Sequence, residues 1–163
     1  MRRLGDYPYW LAGGSPRVRV LGLDPGGKTG VCLYDTENPL EPFFLEVEGG
    51  VRGFSAWWKC QRLSEGAQVV CESFRLRDDD FKPDLSPVEI IGFLKAEGIP
   101  ITYQMPSKGK LKVTNAILKR AGIYPKRGQV KGGHVVDAER HALEYLVTKR
   151  HRPTIELLWP KEL

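Results

Sequence analysis

The residues of this 163-residue chain whose types and spacing could do chemistry fall in three places. "LGLDPGGKTG", residues 21 to 30, ends an apolar run in Asp24 and continues into a glycine turn. "VVCESF" sets Glu72 inside an otherwise apolar run, where a carboxylate is costly without a cation or hydrogen-bond partner. "HVVDAERHALEYLV" spaces His134, Asp137 and His141 at i, i+3 and i+7, so they share one helical face. Three carboxylates, on a first strand, a later strand and a closing helix, suit divalent-metal phosphodiester chemistry. Two ions about 4 Å apart would activate water and stabilise the leaving oxygen. A neutral His134 suits metal ligation or proton transfer. A histidine at a helix start can also simply bond backbone, and His141 reads as a structural neighbour.

The first stretch has a second reading. Gly22 to Thr29 satisfies G-x-x-x-x-G-K-[ST], the phosphate loop of nucleotide hydrolases. That loop needs a helix directly after Lys28-Thr29, because the helix N-terminus supplies the amides that hold phosphate. Here Gly30 to Asp35 is strand-like, and Asn38-Pro39 then breaks the chain. The better reading is an aspartate at a strand end, followed by the turn Pro25-Gly26-Gly27 and a returning strand.

Charge locates a partner. From Met105 to Lys131 there are eight Lys or Arg and no Asp or Glu, whereas the rest of the chain holds 17 basic against 20 acidic residues. Ordinary surfaces interleave both signs, so this segregation predicts a polyanion partner, nucleic acid above all. Lys108, Lys112, Lys119 and Lys131 are the candidate phosphate contacts. Three cysteines with no C-x-x-C read as reduced thiols of a cytoplasmic protein. The amino terminus lacks the apolar run of a signal peptide, and no stretch reaches membrane-spanning length.

The elements that must position these residues can be read from pattern. "RVRVLGLD", "TGVCLYD" and "EPFFLEVEGG" predict three strands, close enough in sequence to pair antiparallel. "FSAWWKCQRL" predicts a helix and "AQVVCESF" a central strand. Ser86-Pro87-Val88-Glu89 predicts a capping box with Ser86 at the N-cap, opening a helix that buries Ile90, Ile91 and Leu94. "IPITYQM" predicts a fifth strand, and "KLKVTNAILKRAG" a helix with Val113, Ile117 and Leu118 inside. The helix from His134 closes the domain. This predicts an α/β fold: a mixed five-stranded β-sheet with flanking helices over residues 17–150, with an extension at 1–16 and a tail at 151–163.

"LGLDPGGKTGVCLYD", "VVCESF", "SPVEIIGFLKAEGIPITYQMPS" and "HVVDAERHALEYL" together resemble the RuvC-type Holliday junction resolvases of the RNase H-like superfamily, over roughly residues 17 to 148. The resemblance places that family's catalytic, metal-binding acids on Asp24, Glu72 and Asp137. His134 falls on the first position of its final D-x-x-D pair, where some bacterial members also have histidine. Phe74 resembles the aromatic that stacks on junction bases, one residue nearer the glutamate. The resemblance implies an RNase H-like sheet and a crossover junction endodeoxyribonuclease using Mg²⁺ or Mn²⁺, two ions per site. It further implies 5′-phosphate and 3′-hydroxyl products, and a C2 homodimer that cuts two strands symmetrically. Competing expectations are a flap or branched-DNA nuclease on the same fold and a non-catalytic nucleic-acid-binding module. Tyr7, Tyr9 and Trp10 of the extension could form an arm over DNA or a second subunit.

Overall fold

The computed structural model describes residues 16–74, 82–105, 112–126 and 133–161. Five strands form one sheet: β1 (Arg19–Asp24), β2 (Lys28–Asp35), β3 (Phe43–Glu48), β4 (Gln68–Glu72) and β5 (Ile101–Gln104). Their order is β3-β2-β1-β4-β5. The first three pair antiparallel as the short links require, while β4 and β5 run parallel to β1. The helices whose bounds fall within the described residues are α1 (Gly50–Cys60), α2 (Ser86–Ala96), α3 (Asn115–Arg120), α4 (His134–Thr148) and α5 (Arg152–Leu158). The fold is thus the expected mixed five-stranded sheet with flanking helices. None of the described helices is long and apolar enough to cross a membrane.

Period-two alternation sorts each inner strand between two cores. Leu21, Leu23, Val31, Val69 and Cys71 pack with Phe54 and Trp58 of α1 and Ile90 and Leu94 of α2. Val20, Cys32, Tyr34 and Val70 pack on the other face with Val135, Ala138 and Ala142 of α4. Asp24 and Glu72 share the parity of Val20 and Val70, so both face α4. Two glycines let that helix lie against the sheet. A β-carbon on Gly22 would stand 2.1 Å from the Ala138 carbonyl oxygen, and one on Gly30 would stand 2.0 Å from that of His134. No side chain fits there.

Three local expectations are corrected. The helix from Ser86 has Leu85, not Ser86, at its N-cap, because the Asp84 carboxylate takes the Ser86 amide at 2.9 Å and Glu89 N–H bonds the Leu85 carbonyl. The predicted capping box is therefore absent. The helix expected over 110–122 is interrupted at Val113 and Thr114: Lys112 is helical, but Thr114 is extended and caps α3, its hydroxyl accepting from Ile117 N–H. Finally, α1 starts at Gly50 and stops at Cys60, short of Leu63. In the tail, α5 buries Leu158 in the α4-side core.

Candidate active site

Asp24 and Glu72 end two adjacent parallel strands in register, Leu23 lying opposite Cys71. Parallel pairing and equal parity therefore set both carboxylates side by side at the same end of the sheet. The first turns of α4 cross that end, held close by Gly22 and Gly30. An open cleft of about 470 Å³ results, lined by Asp24, Glu72, His134 and Asp137, with Lys28 and Asp84 also in its wall. The four residues expected to act together are thus brought together.

Each acid has a partner on α4. His134 Nδ1 lies 2.9 Å from Asp24 Oδ2. His141, buried, sets Nε2 2.8 Å from Glu72 Oε2 and Nδ1 3.0 Å from Gln104 Oε1. The register that opposes Glu72 and Gln104 puts both within its reach. Asp137 pairs with Arg140, one helical turn on. Burial pushes the Asp24 carboxyl up to about 6; the His134 hydrogen bond opposes this, and the charges of Glu72 and Asp137 add to it.

The turn after Asp24 is fastened on both sides. Gly27 N–H donates to Asp84 Oδ2 at 3.1 Å, and the Gly27 carbonyl accepts from Gly50 N–H at 3.0 Å. Lys28 Nζ pairs with Glu48 at 2.9 Å. Because Lys28 opens strand β2 rather than a helix, the phosphate-loop reading has no structural support.

The donor set, carboxylates with one imidazole, has the chemistry that Mg²⁺ or Mn²⁺ accepts. The Asp24 pKa is raised first by burial and then by the charges of Glu72 and Asp137, and a bound cation would relieve both. Among the described residues no three such side chains already enclose a common point. The donors are turned instead onto their hydrogen-bond partners within the site.

Sequence reasoning passed over Gln104, Asp84 and Arg140. The i, i+3 spacing of Asp137 and Arg140 was a readable signal; the other two depend on sheet register and loop path. Of the expected DNA contacts, Phe74 lies two residues past the end of β4 and is half-buried. Lys112 Nζ is 2.8 Å from Glu144 Oε1, and Lys119 sits over the Tyr124 ring at 5.0 Å. These three do not line the cleft. Lys108, Lys131, Tyr7, Tyr9 and Trp10 lie outside the described residues.

No protein-family model and no curated protein matches the sequence. Solved structures do match. One is Thermus thermophilus RuvC in complex with a Holliday junction substrate, at 15% identity and TM-score 0.59, covering 83% of this chain and 96% of that one. Another is Thermus thermophilus RuvC by itself, at 16% identity and TM-score 0.54, covering 82% and 96%. The chain has the RuvC-type fold.

Proposed function

We propose that this chain is a metal-dependent, structure-selective DNA endonuclease that resolves four-way junctions. The observation that carries the reading is the meeting of Asp24, Glu72 and Asp137 in one cleft, from two adjacent strand ends and the helix laid across them. The likeness to a RuvC bound to a Holliday junction substrate supports branched DNA as the substrate class. The basic stretch from Met105 to Lys131 supports a polyanion partner of any kind.

Asp24, Glu72, His134 and Asp137 would hold Mg²⁺ or Mn²⁺, two ions per site, whose chemistry is to activate water and stabilise the leaving oxygen. The chain's own residues set the stage. Asp24 and Glu72 are fixed on rigid strand ends, His134 hydrogen-bonds Asp24, and His141 with Gln104 orients Glu72. Lys108, Lys112, Lys119 and Lys131 hold the phosphate backbone, while Phe74 stacks on an unpaired base. Cutting two strands symmetrically calls for a homodimer acting on DNA in the cytoplasm.

The test is cleavage of matched four-way, flap and linear DNA, with and without Mg²⁺ or Mn²⁺. Paired, metal-dependent incisions in the four-way junction, leaving 5′-phosphates, are expected. Preferential cutting of the flap would transfer the same site to flap processing. Absence of cleavage with either metal would leave a binding module.

A further inference from the structure

All three guanidinium nitrogens of Arg140 donate, to three acceptors from two separate parts of the chain. Its Nε donates to the Val113 carbonyl at 3.0 Å. One terminal nitrogen donates to Asp137 Oδ1 and the other to Asn115 Oδ1. The side chain is only 13% exposed, and that of Asp137 is 17% exposed. A surface ion pair in this position would be worth little and would wander. Here a planar, rigid fork fixes three directions at once, which a lysine ammonium cannot reproduce.

Asp137 is bound to this fork while it lines the cleft with Asp24 and Glu72. Residues 113–115 belong to the basic stretch, and Thr114 caps α3, which carries Lys119. We propose that Arg140 is a positioning residue that sets the Asp137 carboxylate for cation binding, and that it takes its own position from Val113 and Asn115 of the basic segment. The geometry of the site then depends on how that segment is docked, through one side chain. The inference rests on the reading of Asp24, Glu72 and Asp137 as metal ligands, and it adds a residue that touches neither metal nor DNA.

Two variants test it. Arg140→Lys keeps the charge and loses the fork. Asn115→Ala removes one acceptor of the fork at a residue that does not line the cleft, and leaves Thr114 to cap the helix. The probe is Mn²⁺ alone, titrated by calorimetry without DNA, beside melting curves for each protein. Arg140→Lys is expected to weaken Mn²⁺ binding by about 10- to 100-fold, as loss of a partner that orients a metal ligand does. Asn115→Ala is expected to weaken it roughly threefold, one hydrogen bond of the fork being lost.

Mn²⁺ affinity within about twofold of wild type in folded Arg140→Lys and Asn115→Ala would overturn the proposal, since a merely structural arginine would move the melting temperature and not the affinity. If Arg140→Lys does not fold, unchanged affinity in Asn115→Ala alone overturns it, and a loss there supports it. Asp24→Asn run alongside separates the two levels. Mn²⁺ binding that Asp24→Asn leaves intact overturns the metal site and this proposal together. Binding that Asp24→Asn abolishes but the fork variants leave alone overturns this proposal only.

Discussion

Gly30 lies directly beneath the backbone carbonyl of His134, so that a β-carbon on it would stand 2.0 Å from the oxygen. This contact brings α4 down onto β1 and β2, and with it His134 onto Asp24. Because the obstacle is backbone, Gly30→Ala must move the helix. Cleavage is expected to fall by about 100-fold, as misplacement by about 1 Å can cost, with stability lower by roughly 1 to 3 kcal/mol. Gly92→Ala is the control, since a β-carbon there meets nothing within 4 Å. In the exposed face of α2 it should gain about 0.5 to 1 kcal/mol and leave cleavage unchanged. Urea denaturation and a single-turnover assay measure both.

The cleft is built at a cost in stability that pH exposes. Asp24, with its pKa pushed up to about 6 by burial, binds its proton more tightly folded than unfolded. Stability without metal should therefore decline as pH rises from about 4 through 6. At pH 7 and above, Asp24→Asn should be more stable than the metal-free wild type, by up to about 3 kcal/mol. Mn²⁺ should raise the melting temperature of wild type and not of this variant. Melting curves from pH 4.5 to 8, with and without Mn²⁺, give the comparison.

Glu139 makes a second pH-dependent demand, away from the cleft. It is fully buried on α4, and neither carboxylate oxygen has a hydrogen-bond partner among the described residues. Burial raises its pKa to about 9, Arg140 opposing, and its charge in turn bears on Cys32 and Tyr34 of β2. The folded protein keeps the proton that the unfolded chain releases above about pH 4.3, so stability falls as pH climbs toward 9. Glu139→Gln should match wild type near pH 5 and exceed it by on the order of 4 kcal/mol at pH 8. Equal pH slopes in urea denaturation would show that this carboxyl is not held neutral.

Binding of a four-way junction should fall steeply with salt. If about half of the eight basic residues from Met105 to Lys131 touch phosphate, log K against log[salt] should slope about −3 to −4. Lys119→Ala should flatten the slope by about 1 unit. Lys112→Ala should change it less, because Lys112 is already paired with the buried carboxylate of Glu144. Fluorescence anisotropy in Ca²⁺ across a salt series gives the slopes.

What the sequence made legible follows from how local each signal is. The inner strands read correctly because buried runs such as "VRVLGLD" and "QVVCE" have few alternatives, and alternation then fixes which way Asp24 and Glu72 face. The α4 face carrying His134, Asp137 and His141 follows from helical period alone. The N-terminus of α2 did not read correctly, because Asp84 competes for the Ser86 amide while also gripping Gly27, a contact 57 residues away. The break in the helix of the basic segment was missed for a similar reason: Thr114 prefers to cap, and Arg140 holds the Val113 carbonyl. Gln104 was invisible as part of the site until the pairing of β4 with β5 set it beside Glu72. Pattern reading finds the acids; only tertiary contacts reveal what orients them.

The claim most exposed to test is that Asp24, Glu72 and Asp137 form one metal-dependent cleavage centre. The direct measurement is single-turnover cleavage of a labelled four-way junction by wild type, Asp24→Asn, Glu72→Gln and Asp137→Asn in Mg²⁺ and in Mn²⁺, with junction affinity measured in parallel. Each substitution keeps volume and removes one charge. Cleavage should be lost in all three, binding should stay near wild type or tighten, and the triple variant should be no worse than the singles. Cleavage at a near-normal rate by any one of them, in a folded protein that still binds the junction, would contradict the account by removing that carboxylate from the centre.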